Sequence, residues 1–174
     1  GAQAELLAIL GADRAVVLLM TPLGARQFRT SSIAVAFARG LGDAACVKHF
    51  PGLGSTSVST DDRPHVDARL RPQDLAPFRQ AIRDGVPCVM VNNAFYGAFG
   101  SRRASLEPGA YRLLRSTGFR GVAITDSLSI VKHPPPDWPV AAARAGADLL
   151  LFTSPKDARA AIEKLLPLAR SGEL

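Results

Sequence analysis

Short runs that are apolar throughout recur along the chain, and each is followed by a turn and then a stretch with helical spacing. The runs fall at 15–20 (AVVLLM), 44–50 (AACVKHF), 87–92 (PCVMVN), 121–126 (GVAITD) and 148–152 (DLLLF). Their length suits strands. Their unbroken apolar character, rather than an alternation, is the mark of a parallel sheet covered on both faces. Helices are predicted over 2–11, 31–41, 71–84, 107–116, 140–146 and 157–170. In 31–41 the inward stripe is Ile33, Ala36, Phe37 and Leu41; in 71–84 it is Leu75, Phe78, Ala81 and Ile82. Gly11, Gly85 and Gly118 stand where helices stop. The pattern defines an α/β protein of parallel-sheet (β/α) repeats. An open doubly wound sheet and part of a (β/α)8 barrel both satisfy it, since a complete barrel takes about 250 residues and this chain has 174.

Composition narrows the partners. With 47% hydrophobic residues the chain can bury the core of a single domain. No apolar run reaches the roughly 18 residues of a membrane span, because Gly11, Asp13 and Arg14 interrupt the longest one. The net charge of +6 comes from dispersed arginines, without a basic block or interleaved aromatics. A solvated surface explains them better than nucleic-acid binding. Three scattered histidines make no metal site, and no cofactor is expected. Cys46 and Cys88, far apart and each inside a strand run, are expected to be buried free thiols. No signal peptide is visible, but a removed one would leave no trace, so the compartment is left open, with the cytoplasm favoured over export.

Two stretches carry chemistry. The first is 48–62, KHFPGLGSTSVSTDD. Pro51 cannot donate to a sheet ladder, and Gly52 and Gly54 permit a sharp turn. The turn presents Lys48, His49, Asp61 and Asp62 at the carboxyl end of a strand, where (β/α) proteins bind ligands. The second is 118–130, GFRGVAITDSLSI, which sets the carboxylate of Asp126 at the tip of an apolar strand. Local alternatives stand beside both readings. Asp126 or Ser127 could cap a helix, and Asp61–Asp62 could close an Asx turn before Pro64.

These stretches resemble glycoside hydrolase family 3, and within it the β-N-acetylglucosaminidases. That branch carries KHFPGHG or KHFPGLG, a four-residue spacer, and Asp-Ser/Thr-His. Residues 48–54 match the second form and 55–58 the spacer, but the triplet here is Ser59-Thr60-Asp61. The segment 118–130 is similar to the family strand that ends in the nucleophile, a position held by Asp126. Weaker likenesses lie at 25–28 (ARQF), 88–96 (CVMVNNAFY), 103–108 (RASLEP) and 145–151 (AGADLLL).

The resemblance runs from about residue 16 to 152 and lacks the family's amino-terminal strands. It implies a partial TIM-type (β/α)8 barrel, with 1–174 forming one domain, the carboxyl-terminal portion of the family barrel. It also implies retaining hydrolysis of a β-linked N-acetylglucosaminyl residue in peptidoglycan turnover, with carbohydrate as the partner. Asp126 becomes the nucleophile; Lys48, His49, Arg26 and Asn93 become sugar contacts. The family's His–Asp proton-transfer pair is absent. Asp61 is then the acid/base, and His65 a weaker candidate. Two alternatives remain open: an inactive sugar-binding or scaffold member, and a β-glucosidase or phosphorylase-type relative.

Overall fold

The computed structural model describes residues 17–20, 38–130 and 134–174. Its sheet has four strands, β1 (Val17–Met20), β2 (Ala45–Phe50), β3 (Cys88–Val91) and β4 (Val122–Thr125). They lie in sequence order and every neighbouring pair is parallel. α1 (Pro72–Arg83) crosses from β2 to β3 and α2 (Pro108–Ser116) from β3 to β4. α3 (Trp138–Ala145) and α4 (Pro155–Ser171) follow. A doubly wound sheet reverses its strand order at a switch point, whereas a barrel wall adds each strand on the same side. The order observed here is that of a barrel wall.

Local sequence sets these boundaries. Each of the four helices has a proline in its first turn, where the missing N–H would have had no partner anyway. Pro139 in that position starts α3 at Trp138, two residues before the predicted start. Gly146 ends the same helix with φ of 115°, a left-handed conformation that favours glycine. The chain is also helical over 38–41, the described end of the helix predicted at 31–41. The helix predicted at 2–11 lies outside the described residues.

Two expectations are corrected. The strand predicted at 148–152 is reduced to one parallel bridge, Ile124 to Leu149. Leu151 N–H donates to the Thr125 hydroxyl at 3.0 Å instead of a main-chain carbonyl, so the regular ladder stops. Cys46 and Cys88 are not free thiols but a disulfide. Their separation in sequence hid this. Parallel pairing of β2 with β3 sets Cys46 directly beside Cys88, with Cα atoms 4.3 Å apart.

The core joins one face of the sheet to the helices. Val47, Phe50, Val89, Val91 and Ala123 pack with Leu75 and Phe78 of α1 and Tyr111 and Leu114 of α2. Phe50 meets Phe78 edge-on at 5.3 Å. Burying side chains of this size stabilises by about 1.5–3 kcal/mol each, which fixes the strand ends that carry the polar residues. A second cluster, Leu106, Leu128 and Ala142 with Trp138 against it, ties the segment after β4 to α3. Among the described residues no helix is long and apolar enough to cross a membrane.

Candidate active site

The carboxyl ends of β2, β3 and β4 converge on one polar cluster. β2 does not run regularly to its tip. Val47 pairs with Val89 and Phe50 with Val91, so β2 carries one residue more than β3 over that interval. Such a bulge re-aims side chains at a strand end. Here it affects Lys48 and His49, and the Lys48–His49 and Phe50–Pro51 peptide bonds are cis. His49 is buried and Lys48 half-buried.

Beyond β2 the chain turns at Gly52, whose φ is 117°. A β-carbon there would come within 2.7 Å of Asp74 Cβ, so space as well as backbone conformation requires glycine. The Tyr96 hydroxyl donates to the Gly52 carbonyl at 2.7 Å and accepts from Asn92 Nδ2 at 2.9 Å. Tyr96 and Asn92 thereby hold the KHFPG turn against the end of β3.

Asp126 sits at the tip of β4, its own N–H bonded to the Val91 carbonyl at 2.8 Å. Among the described residues, 126–130 form a bend and turn and no helix begins there, against the cap expected for Asp126 or Ser127. Its Oδ1 accepts from Ser127 N–H at 2.8 Å. Its Oδ2 is buried without a hydrogen-bond partner among the described residues and lies 3.8 Å from His49 Nε2. That separation is too long for a hydrogen bond. Burial raises the Asp126 carboxyl to about 6, against the Ser127 N–H and the charges of Lys48 and Arg103, which favour ionisation; the Asp61 charge adds to the rise. Burial and then the Lys48 charge push His49 down to about 3. A neutral imidazole therefore faces the carboxylate at ordinary pH.

The other predicted residues divide. Asp61 is exposed, and its charge is felt at Asp126. The Asx-turn alternative fails, because Ser59 makes the turn: its hydroxyl accepts from Asp61 N–H at 3.1 Å and its carbonyl from Asp62 N–H at 3.2 Å. Asn93 is wholly buried. Its Nδ2 donates to the Ser127 carbonyl at 2.8 Å and its Oδ1 accepts from the Ser105 hydroxyl at 2.6 Å. The structure therefore sets Asn93 behind the Asp126 turn as a brace, with no accessible surface to offer a sugar. His65 is exposed, stacked on Phe95 at 4.0 Å, with Nε2 3.1 Å from Asp67 Oδ1. Arg26 lies outside the described residues.

Sequence reasoning missed Arg103. Its guanidinium is buried, donates to the Asn93 carbonyl at 3.1 Å, and lies over the Phe95 and Trp138 rings. The signal was in the sequence: an arginine opens RASLEP, a stretch already marked by its likeness to the family. Ser105 went unnoticed for a different reason. A small hydroxyl in a turn carries no pattern.

Strand-end carboxylate, imidazole and ammonium groups on a barrel-type (β/α) sheet stand where such barrels bind ligands and carry out chemistry. The family model described as "Glycosyl hydrolase family 3 N terminal domain" matches residues 24–174. The chain belongs to glycoside hydrolase family 3. It is 33% identical over 178 residues to the beta-hexosaminidase LpqI of Mycobacterium tuberculosis, covering 88% of this chain and 46% of that protein. Against a beta-hexosaminidase of Stenotrophomonas maltophilia it is 33% identical over 139 residues, 72% of this chain and 42% of the relative. The structure of a family 3 beta-N-acetylglucosaminidase from Paenibacillus sp. superposes with a TM-score of 0.74 at 31% identity, over 87% of this chain and 32% of that one. The chain thus spans less than half the length of the curated relatives it matches.

Proposed function

We propose that this chain forms the nucleophile-bearing, carboxyl-terminal portion of a barrel that removes β-linked N-acetylglucosaminyl residues by a retaining mechanism. The observation that carries the reading is Asp126 Oδ2, buried and unpartnered among the described residues, beside His49 and within the field of Lys48. A buried carboxylate oxygen without a donor is costly, and a catalytic role is one reason for a protein to retain it. Here it is the atom that attacks.

In the first step Asp126 Oδ2 bonds to the anomeric carbon as the glycosidic C–O bond breaks. The leaving oxygen takes a proton from Asp61. In the second step Asp61 takes a proton from water, the water oxygen bonds to the anomeric carbon, and the ester to Asp126 breaks. Lys48 and Arg26 donate to sugar hydroxyls, and neutral His49 can donate or accept. Asn93 acts at one remove, through Ser127. Peptidoglycan fragments are the substrate source most in keeping with beta-hexosaminidase relatives in bacteria.

A second reading has a specific observation behind it. His65 and Asp67 form an exposed imidazole–carboxylate pair on the same loop as Asp61, and His65 can serve as proton donor in its place. Turnover of a chromogenic N-acetyl-β-glucosaminide by the complete protein tests the function. A fluorinated glycoside that slows the second step should leave a covalent adduct on the peptide containing Asp126. Binding of N-acetylglucosamine with neither turnover nor adduct would instead make this an inactive sugar-binding member.

A further inference from the structure

Arg103 has an exposure of 4%, and burying a guanidinium is costly unless its donors are matched. Among the described residues no carboxylate pairs with it. Its partners are the Asn93 carbonyl through Nη1, the Pro64 carbonyl through Nη2, and the rings of Phe95 and Trp138 at 5.4 and 5.1 Å. These partners come from three separate places: the loop after β2, the end of β3, and the start of α3. The main chain secures 66–68 to Phe95, whose N–H donates to the Val66 carbonyl and whose carbonyl accepts from Ala68 N–H. Upstream of that point Thr60 is buried, but hydrogen-bonded support thins. Among the described residues, the hydrogen bond joining 59–64 to another part of the fold is the one from Arg103 to Pro64. His65, next in the chain, stacks on the same Phe95 that Arg103 covers.

We propose that Arg103 is a positioning residue: by gripping Pro64 and Asn93 at once, it holds the loop bearing Asp61 and His65 at the mouth of the site. Its catalytic consequence rests on the glycosidase reading above; the tether itself does not. The two carbonyls are reached from two separate nitrogens of one planar guanidinium, whereas a lysine would have to reach both from a single flexible ammonium. The same guanidinium keeps a fixed positive charge near Asp126 and favours its ionised form.

The test uses Arg103→Met and Arg103→Lys in the complete protein, with Arg102→Met, whose side chain reaches Glu107, as the neighbouring control. Amide hydrogen exchange over 59–66 should quicken about tenfold in both Arg103 variants and stay unchanged in the control. The acid limb of kcat/KM should move to higher pH in Arg103→Met and stay in place in Arg103→Lys. Exchange within about twofold of the parent in both variants would overturn the tether. Should Arg103→Met fail to fold, Arg103→Lys decides the matter by exchange alone. If the parent protein shows no turnover, the glycosidase reading fails while the exchange comparison still decides the role of Arg103.

Discussion

His49 Nε2 and Asp126 Oδ2 lie 3.8 Å apart at the tips of two strands, both buried, the imidazole neutral and the carboxyl raised to about 6. This pairing makes the acid limb of the pH–rate profile diagnostic. As the proposed nucleophile Asp126 must be ionised to attack, so kcat/KM should fall by one proton's slope below about pH 6. His49 cannot produce that limb, because it takes up a proton only near 3. A profile flat from pH 5 to 7 would show that Asp126 is not the titrating nucleophile.

Asp126→Asn should lose activity by roughly 10³-fold or more, since a neutral amide cannot form the ester. Its effect on stability has the opposite sign. The folded-state value of about 6 exceeds the ordinary 3.8, so the stability linked to this group is full below pH 3.8 and is lost as pH rises through 6. At pH 8 the folded protein carries the buried charge; asparagine removes it while its Oδ1 still accepts from Ser127 N–H. Melting temperature should therefore rise in Asp126→Asn at pH 8, by an amount corresponding to at most about 3 kcal/mol, and the gain should vanish near pH 4. A lower Tm at pH 8 would mean the carboxylate is held by favourable contacts after all.

The two proton-transfer candidates separate by substrate. Removing a general acid costs about 10²–10⁴-fold, but an aryl leaving group of low pKa departs without a proton. Asp61→Asn should slow hydrolysis of an alkyl or sugar leaving group far more than that of an activated aryl glycoside. His65→Ala should leave the ratio near that of the parent. The reverse result transfers the role to the His65–Asp67 pair.

The gathering of Lys48, His49 and Asp126 was legible because strand ends in (β/α) proteins are marked chemically. Apolar runs ending in Lys48-His49 and in Asp126 announce both position and polarity, and the parallel order of the strands brings them together. What stayed hidden depends on contacts between segments. The disulfide follows from strand register, which a list of cysteine positions does not contain. Asn93, read as a sugar contact, turns both ends of its amide into the protein because Ser105 and Ser127 flank it. The fifth strand lost its ladder to one hydroxyl, Thr125.

The disulfide gives its own prediction. It closes a loop with a sequence separation of 42, and the chain-entropy relation assigns such a loop about 4 kcal/mol at most. Thiol titration of the unfolded, unreduced protein should find no free thiol from Cys46 or Cys88. Paired Cys46→Ala and Cys88→Ala substitutions should lower Tm, and reductant should then have no further effect. Two reactive thiols on unfolding would restore the free-cysteine expectation.

Asn93→Ala distinguishes a brace from a sugar contact. The substitution leaves the buried Ser105 hydroxyl without its acceptor and the Ser127 carbonyl without its donor, a cost of about 1–3 kcal/mol for each unsatisfied group. Ser127 follows Asp126 and donates to its Oδ1, so the turn that aims Oδ2 loosens. A brace acts on the reacting geometry rather than on substrate affinity, and kcat should fall with KM little changed. The acid limb should also move, because the Ser127 N–H that favours the ionised carboxylate is less well placed. Were Asn93 a direct sugar contact, KM would rise instead and Tm would hold. Measuring kcat, KM and Tm on the one variant therefore separates the sequence expectation from the arrangement seen in the fold.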